Sequence, residues 1–105
     1  SSYDLQRSAV IRQRADLAEE VALQVRISWS KLQEARISIG VARHAVEQAE
    51  ENIRVVLERY GSEVSTYTEV LDAETRRLES LTRFYDAFYD KSLAEFRLGR
   101  AIGDL

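Results

Sequence analysis

A chain of 105 residues with 45% apolar and 31% charged side chains has room for one small domain, and is neither a disordered tail nor a bilayer span. It has no Cys, which excludes disulfide and thiolate chemistry. Its net charge of −3, with Arg and Glu interleaved and no basic block, argues against a nucleic-acid footprint.

There is no Pro, and the only Gly residues are Gly40, Gly61, Gly99 and Gly103, so long uninterrupted helices are expected. No secretory n-region or h-region is visible, and the chain reads as a mature protein or an excised piece.

The first half carries an apolar stripe that runs from Ile11 through Ala15, Ala18, Ala22, Val25 and Trp29 to Leu32. It continues through Ala35, Ile39, Ala42, Val46, Ala49, Ile53 and Val56 to Tyr60. Steps alternate between three and four residues, with one doubled three-step at Leu32, which predicts a heptad seam with one slip of register. The many Ala residues would let two helices approach closely. Gly40 lies in phase with the stripe and is read as part of a continuous helix. Trp29 is expected to pack on the seam.

The second half carries Leu71, Leu78, Leu81, Tyr85 and Phe88, with a neighbouring stripe of Val70, Ala73, Phe84 and Leu98. Two apolar faces predict a helix wedged between several neighbours. Within Phe84–Lys91, four-residue spacing is expected to stack Phe84 on Phe88 and Tyr85 on Tyr89 as an inter-helix packing belt. Glu50–Arg54, Asp72–Arg76 and Glu79–Arg83 are spaced for i,i+4 ion pairs.

The expected fold is all-α: one long antiparallel two-helix coiled-coil hairpin over 1–105. Its helices cover about 3–60 and about 66–102, joined by a turn at about 61–65. The first helix would overhang the second by roughly 20 residues at 1.5 Å per residue, and the overhang calls for a partner outside the chain. At the turn, Gly61 is expected to take a positive φ and end the first helix. Ser62, Ser65 and Thr66 offer side-chain oxygens. Thr66 with Glu69 has capping-box spacing, and Glu69 and Asp72 lie where carboxylates complement the helix dipole.

The only His is His44, with no Glu three residues before it, so a helical di-iron site lacks its ligands. No metal, cofactor or catalytic residue is expected, and the chain is read as a non-enzyme.

Several elements in register resemble the TolC family of outer-membrane efflux and secretion channels. Arg59-Tyr60, the stretch GSEVSTYTE and Val70-Leu71-Asp72-Ala73 resemble a tip segment of the family. Ala49, Glu50, Asn52 and Ile53 resemble its A-E-x-N-L run. Ala87, Tyr89 and Asp90 are similar to an A-x-Y-D element, and Arg100-Ala101-Ile102-Gly103 to a closing A-L-G.

The resemblance implies the C-terminal periplasmic hairpin of a homotrimer, part of an α-helical barrel below an outer-membrane β-barrel. It implies a tip that docks a periplasmic adaptor and, through it, an inner-membrane pump of a tripartite efflux or type I secretion system. This segment would sit in the periplasm and touch neither membrane nor nucleic acid. The implied docking and entrance residues are Tyr60, Gly61, Ser62, Glu63, Val64, Ser65, Thr66, Tyr67, Glu69 and Asp72. Of these, Tyr60 and Asp72 match positions that help hold the entrance closed. Glu63 stands where the family usually has Gly, and Ser65 where some members have a basic residue. Glu63, Glu69 and Asp72 would make the entrance acidic. The alternatives are the coiled-coil hairpin of a periplasmic adaptor, although no Arg–Leu–Ser-like tip is present, and a generic structural coiled coil.

Overall fold

The computed structural model describes residues 1–103; Asp104 and Leu105 lie outside the described residues. Two helices, α1 (Ser2–Gly61) and α2 (Tyr67–Gly103), fold back on each other as an antiparallel hairpin measuring 92 × 16 × 14 Å. The absence of Pro lets α1 run for 60 residues without a break, Gly40 included. Ser1 caps α1 by accepting from the Asp4 N–H.

The seam is regular in both helices. On α1 one row is large (Val25, Leu32, Ile39, Val46, Ile53) and the other mostly small (Ser28, Ala35, Ala42, Ala49, Val56). All ten are buried or half-buried. On α2 the small row is Ala73, Ser80, Ala87, Ala94 and Ala101, and the large row is Val70, Arg77, Phe84, Lys91 and Leu98, again all buried or half-buried. Within each helix the steps strictly alternate three and four, as an uninterrupted heptad requires. Small side chains once per heptad on both helices allow close approach. The core is a thin line: Leu32, Ile39, Ala73 and Ala94 are its buried apolar members, at 4%, 7%, 2% and 8% exposure.

Three expectations about register are corrected. Ser28, not Trp29, occupies the seam, and Trp29 is 55% exposed; the doubled three-step therefore does not exist. On α2 the seam is the Val70–Ala73–Phe84–Leu98 stripe. Leu71, Leu78 and Tyr85 follow it by one residue, about 100° around the helix, and face solvent. Of the aromatic belt only Phe84 packs in the seam: Tyr85, Phe88 and Tyr89 are exposed, and the close ring pair is Phe84–Tyr85, edge-on at 5.7 Å.

The i,i+4 pairs differ as well. Arg54 bonds Glu51 at 2.7 Å and Glu58 at 3.3 Å, Arg77 bonds Glu74 at 2.7 Å, and Lys91 pairs with Glu95 at 3.3 Å. Arg has the reach to choose among the carboxylates a turn away on either side, so spacing alone does not fix its partner.

Arg77 and Lys91 alternate with Val70, Phe84 and Leu98 in the large row of the seam. Their stems lie along the groove while their charged heads reach carboxylates at its rim. Glu50, from α1, adds to the field that holds Arg77 protonated after the dominant hydrogen bond and charge of Glu74. Both carboxylates, Glu74 and Glu95, lie on α2 itself, so the charged heads are paired within their own helix. Residues 2–20 of α1 are exposed throughout, and α1, at 60 residues, outruns α2, at 37.

Candidate docking tip

The turn is built by backbone hydrogen bonds around one carbonyl. Arg59 O accepts from the N–H groups of Ser62 at 3.1 Å, Val64 at 2.8 Å and Ser65 at 3.3 Å, while Tyr60 O accepts from Glu63 N–H at 3.0 Å. The Val64 and Glu63 bonds are the two rings of a Schellman motif, which needs a left-handed residue between its arms. That residue is Glu63, at φ 63.

Gly61 does not supply the positive φ, contrary to the expectation from sequence. It is the last residue of α1, and among the described residues no Gly has a positive φ. Counting back from Val64 through the Schellman rings puts the left-handed position at Glu63, two residues later. This is also the position where the resemblance places glycine.

Thr66 caps α2, its Oγ1 accepting the Glu69 N–H at 3.2 Å, and the first helical bond runs from Val70 N–H to Thr66 O. Ser65, whose hydroxyl stands one residue earlier, is buried at 8% exposure. Ser62 is the C-cap of α1, at φ −92. Glu69 lies in the first turn of α2, at the positive end of the helix dipole.

The two strands of the turn meet through Tyr60 and Tyr67, whose rings lie 6.4 Å apart at 49°. Both are largely open, at 46% and 61% exposure, and Val64 at the apex is 72% exposed. Asp72 is exposed on α2, more than a turn beyond Tyr67. The sequence reading missed Arg59, because its part is played by the main-chain carbonyl and not by the guanidinium. Turn counting from Val64 would have found it.

Charge is concentrated here. Residues 58–72 hold Glu58, Glu63, Glu69 and Asp72 against Arg59, a net of −3. The whole chain is also −3, so the rest of it is balanced. Just behind the tip, the hydrogen bond and then the charge of Arg54 hold the Glu51 carboxyl below its ordinary value of 4.5.

At the other end, an open groove of about 760 Å³ runs from Leu17 and Val21 past Lys31 to Leu93, Arg97 and Arg100. Glu20, Glu34 and Asp90 balance its cations, so it selects no one ligand charge. Among the described residues no helix is long and apolar enough to cross a membrane, and no group of three His, Cys, Asp or Glu could hold a metal. Comparison with protein-family models, with curated proteins and with solved structures gave no match.

Proposed function

We propose that this chain is the periplasmic α-barrel hairpin of a trimeric TolC-like outer-membrane channel, forming channel wall along its length and an adaptor-docking entrance at its tip. The supporting observation is the turn: the left-handed residue Glu63 falls where the tip pattern carries glycine. It stands in register with Arg59-Tyr60 before it and Val70-Leu71-Asp72-Ala73 after it.

The flanks fit a wall segment. Leu71, Leu78 and Tyr85 on α2 and Ile37 and Val41 on α1 are each 48% to 69% exposed, so the hairpin presents apolar surface beyond its own seam on both helices. A free-standing rod would keep these positions polar. In this reading the adaptor connects the hairpin to an inner-membrane pump, and the segment lies in the periplasm of a Gram-negative cell.

The test is binding of the chain to purified hairpins of periplasmic adaptors, with wild type compared against a variant in which Tyr60, Val64 and Asp72 are all Ala. Loss of binding in the variant is the expected result. Equal binding by both would move the contact onto the helices and remove the docking role from the tip.

A further inference from the structure

Independently of the docking reading, we propose that residues 2–16 of α1 pair antiparallel with the same residues of a second copy of this chain, Asp4 of each copy set against Arg14 of the other.

The surface is an unfinished seam. Residues 2–20 are exposed throughout, so α2 does not cover them. Because α1 is one unbroken helix, its two seam rows run back through this stretch by sevens. The Val25 row continues through Ala18 and Ile11 to Asp4, and the Ser28 row through Val21 and Arg14 to Arg7. Val10, Ile11 and Leu17 are 46%, 57% and 60% exposed, so apolar area accompanies the rows. Such a face gains by lying against a second helix.

The charges select which helix. Arg14 stands at a seam position, and the residues three and four away on either side are Val10, Ile11, Leu17 and Ala18, all apolar. It therefore has no carboxylate of its own helix within one turn. Arg77 and Lys91, the seam cations of α2, do have one, Glu74 and Glu95 respectively. Among the described residues neither Arg7 nor Arg14 forms an ion pair, and the Asp4 carboxylate meets only its neighbour Ser1.

In an antiparallel pair, one seam row faces the other row of the partner helix. Setting Asp4 opposite Arg14 also sets Arg7 opposite Ile11 and centres the two-fold at Ala9. Each lone seam charge then meets an opposite charge or lays its aliphatic stem on an apolar side chain. A parallel pair would instead put Asp4 on Asp4, Arg7 on Arg7 and Arg14 on Arg14, so charge complementarity selects the antiparallel copy. The register ends at residue 16 and leaves Leu17, Val21 and Gln24, which line the groove with Arg97 and Arg100, clear of the second copy.

The experiment uses the full chain carrying Leu78→Gln and Tyr85→Gln, which takes the exposed α2 row out of the association, and measures the dimer dissociation constant by sedimentation. The expected species is a dimer. Arg14→Asp and Asp4→Arg, each added singly, should weaken it about tenfold or more, because each reversal sets like charges against one another twice. An equimolar mixture of the two reversed chains should return to within about threefold of the unreversed affinity, since opposite charges face each other again. Circular dichroism checks that helicity is retained.

A monomer at every concentration overturns the inference. A dimer that either reversal leaves unchanged also overturns it, and insensitivity to both is the behaviour of a parallel pair. Weakening that the mixture fails to reverse overturns it too, because the reversals would then act on α1 itself and not on a facing copy.

Discussion

The backbone N–H of Val64 donates to the carbonyl of Arg59 at 2.8 Å, and closing that ring forces the intervening Glu63 to φ 63. A residue with a Cβ is strained there by about 1–2 kcal/mol, and glycine is not. Glu63→Gly is therefore expected to stabilise the hairpin by about 1 kcal/mol in urea unfolding. Gly40 gives the opposite case. It sits inside α1, and a Cβ there would meet nothing within 4 Å, so Gly40→Ala should stabilise by a further ~0.5–1 kcal/mol. Destabilisation by Glu63→Gly would mean that the turn does not have this geometry in solution.

The entry to α2 depends on one hydroxyl. Thr66 Oγ1 satisfies the Glu69 N–H, which no earlier carbonyl of α2 can reach. Thr66→Ala should cost about 1 kcal/mol, and Thr66→Ser or Thr66→Asp should restore most of it. Ser65→Asp is expected to fail as a substitute cap, because Ser65 is buried and a carboxylate there would lose its water. Equal loss from Ser65→Ala and Thr66→Ala would put the cap in the wrong place.

Two side chains three residues apart distinguish the seam from the stripe read in the sequence. Leu32 is 4% exposed and Trp29 is 55% exposed. Leu32→Ala should cost about 2–4 kcal/mol, and Trp29→Ala less than about 1 kcal/mol. In the small row, Ala73→Leu is expected to push the helices apart, since Ala73 is only 2% exposed and has no space to fill. A larger loss from Trp29→Ala than from Leu32→Ala would restore the register with the slip.

Acid should loosen the ion pairs in a defined direction. Glu74 is held below its ordinary value of 4.5 chiefly by its hydrogen bond from Arg77; burial opposes this, and the charge of Arg77 adds a lesser pull downward. A carboxyl whose folded pKa is lowered adds stability above its unfolded pKa and loses it as pH falls through the folded one. The wild-type advantage over Glu74→Gln should therefore be present at neutral pH, begin to fade near 4.5 and vanish at lower pH. The same sign holds for Glu51 with Arg54. Melting temperatures of wild type and variant across that range would show it, and an advantage that grows on acidification would contradict the pairing.

The hairpin itself was legible in the sequence because 3.6-residue periodicity without Pro leaves few other folds for so long a pattern. The register of α2 was not. Its seam alternates Val70, Phe84 and Leu98 with Arg77 and Lys91, and its other row is Ala and Ser, so the buried face is less hydrophobic than the exposed row of Leu71, Leu78 and Tyr85. Ranking faces by hydrophobicity picked the wrong one for the internal contact. The same bias preferred Trp29 to Ser28. At the turn, Thr66 with Glu69 was readable as a side-chain motif. Glu63 was not, because its conformation is set by main-chain rings and not by its own preference.

The exposed row on α2 leads to the last prediction. Leu78 and Tyr85 are 52% and 65% exposed, one heptad apart on the same face, and Phe88 extends that face at 51%. Covering them would remove apolar area from water at about 25 cal/mol per Å², enough to drive association of copies when no other segment occupies the face. Sedimentation of the chain should show mass rising with concentration. Leu78→Gln with Tyr85→Gln should weaken that association by about tenfold or more while leaving helicity intact, since neither side chain is in the seam. Leu5→Gln with Leu17→Gln, on the projecting end of α1, separates the two surfaces: if it alone abolishes association, the overhang is the self-associating face, and the α2 row is reserved for a different neighbour. A monomer at high concentration in wild type would mean that neither surface recognises a copy of itself.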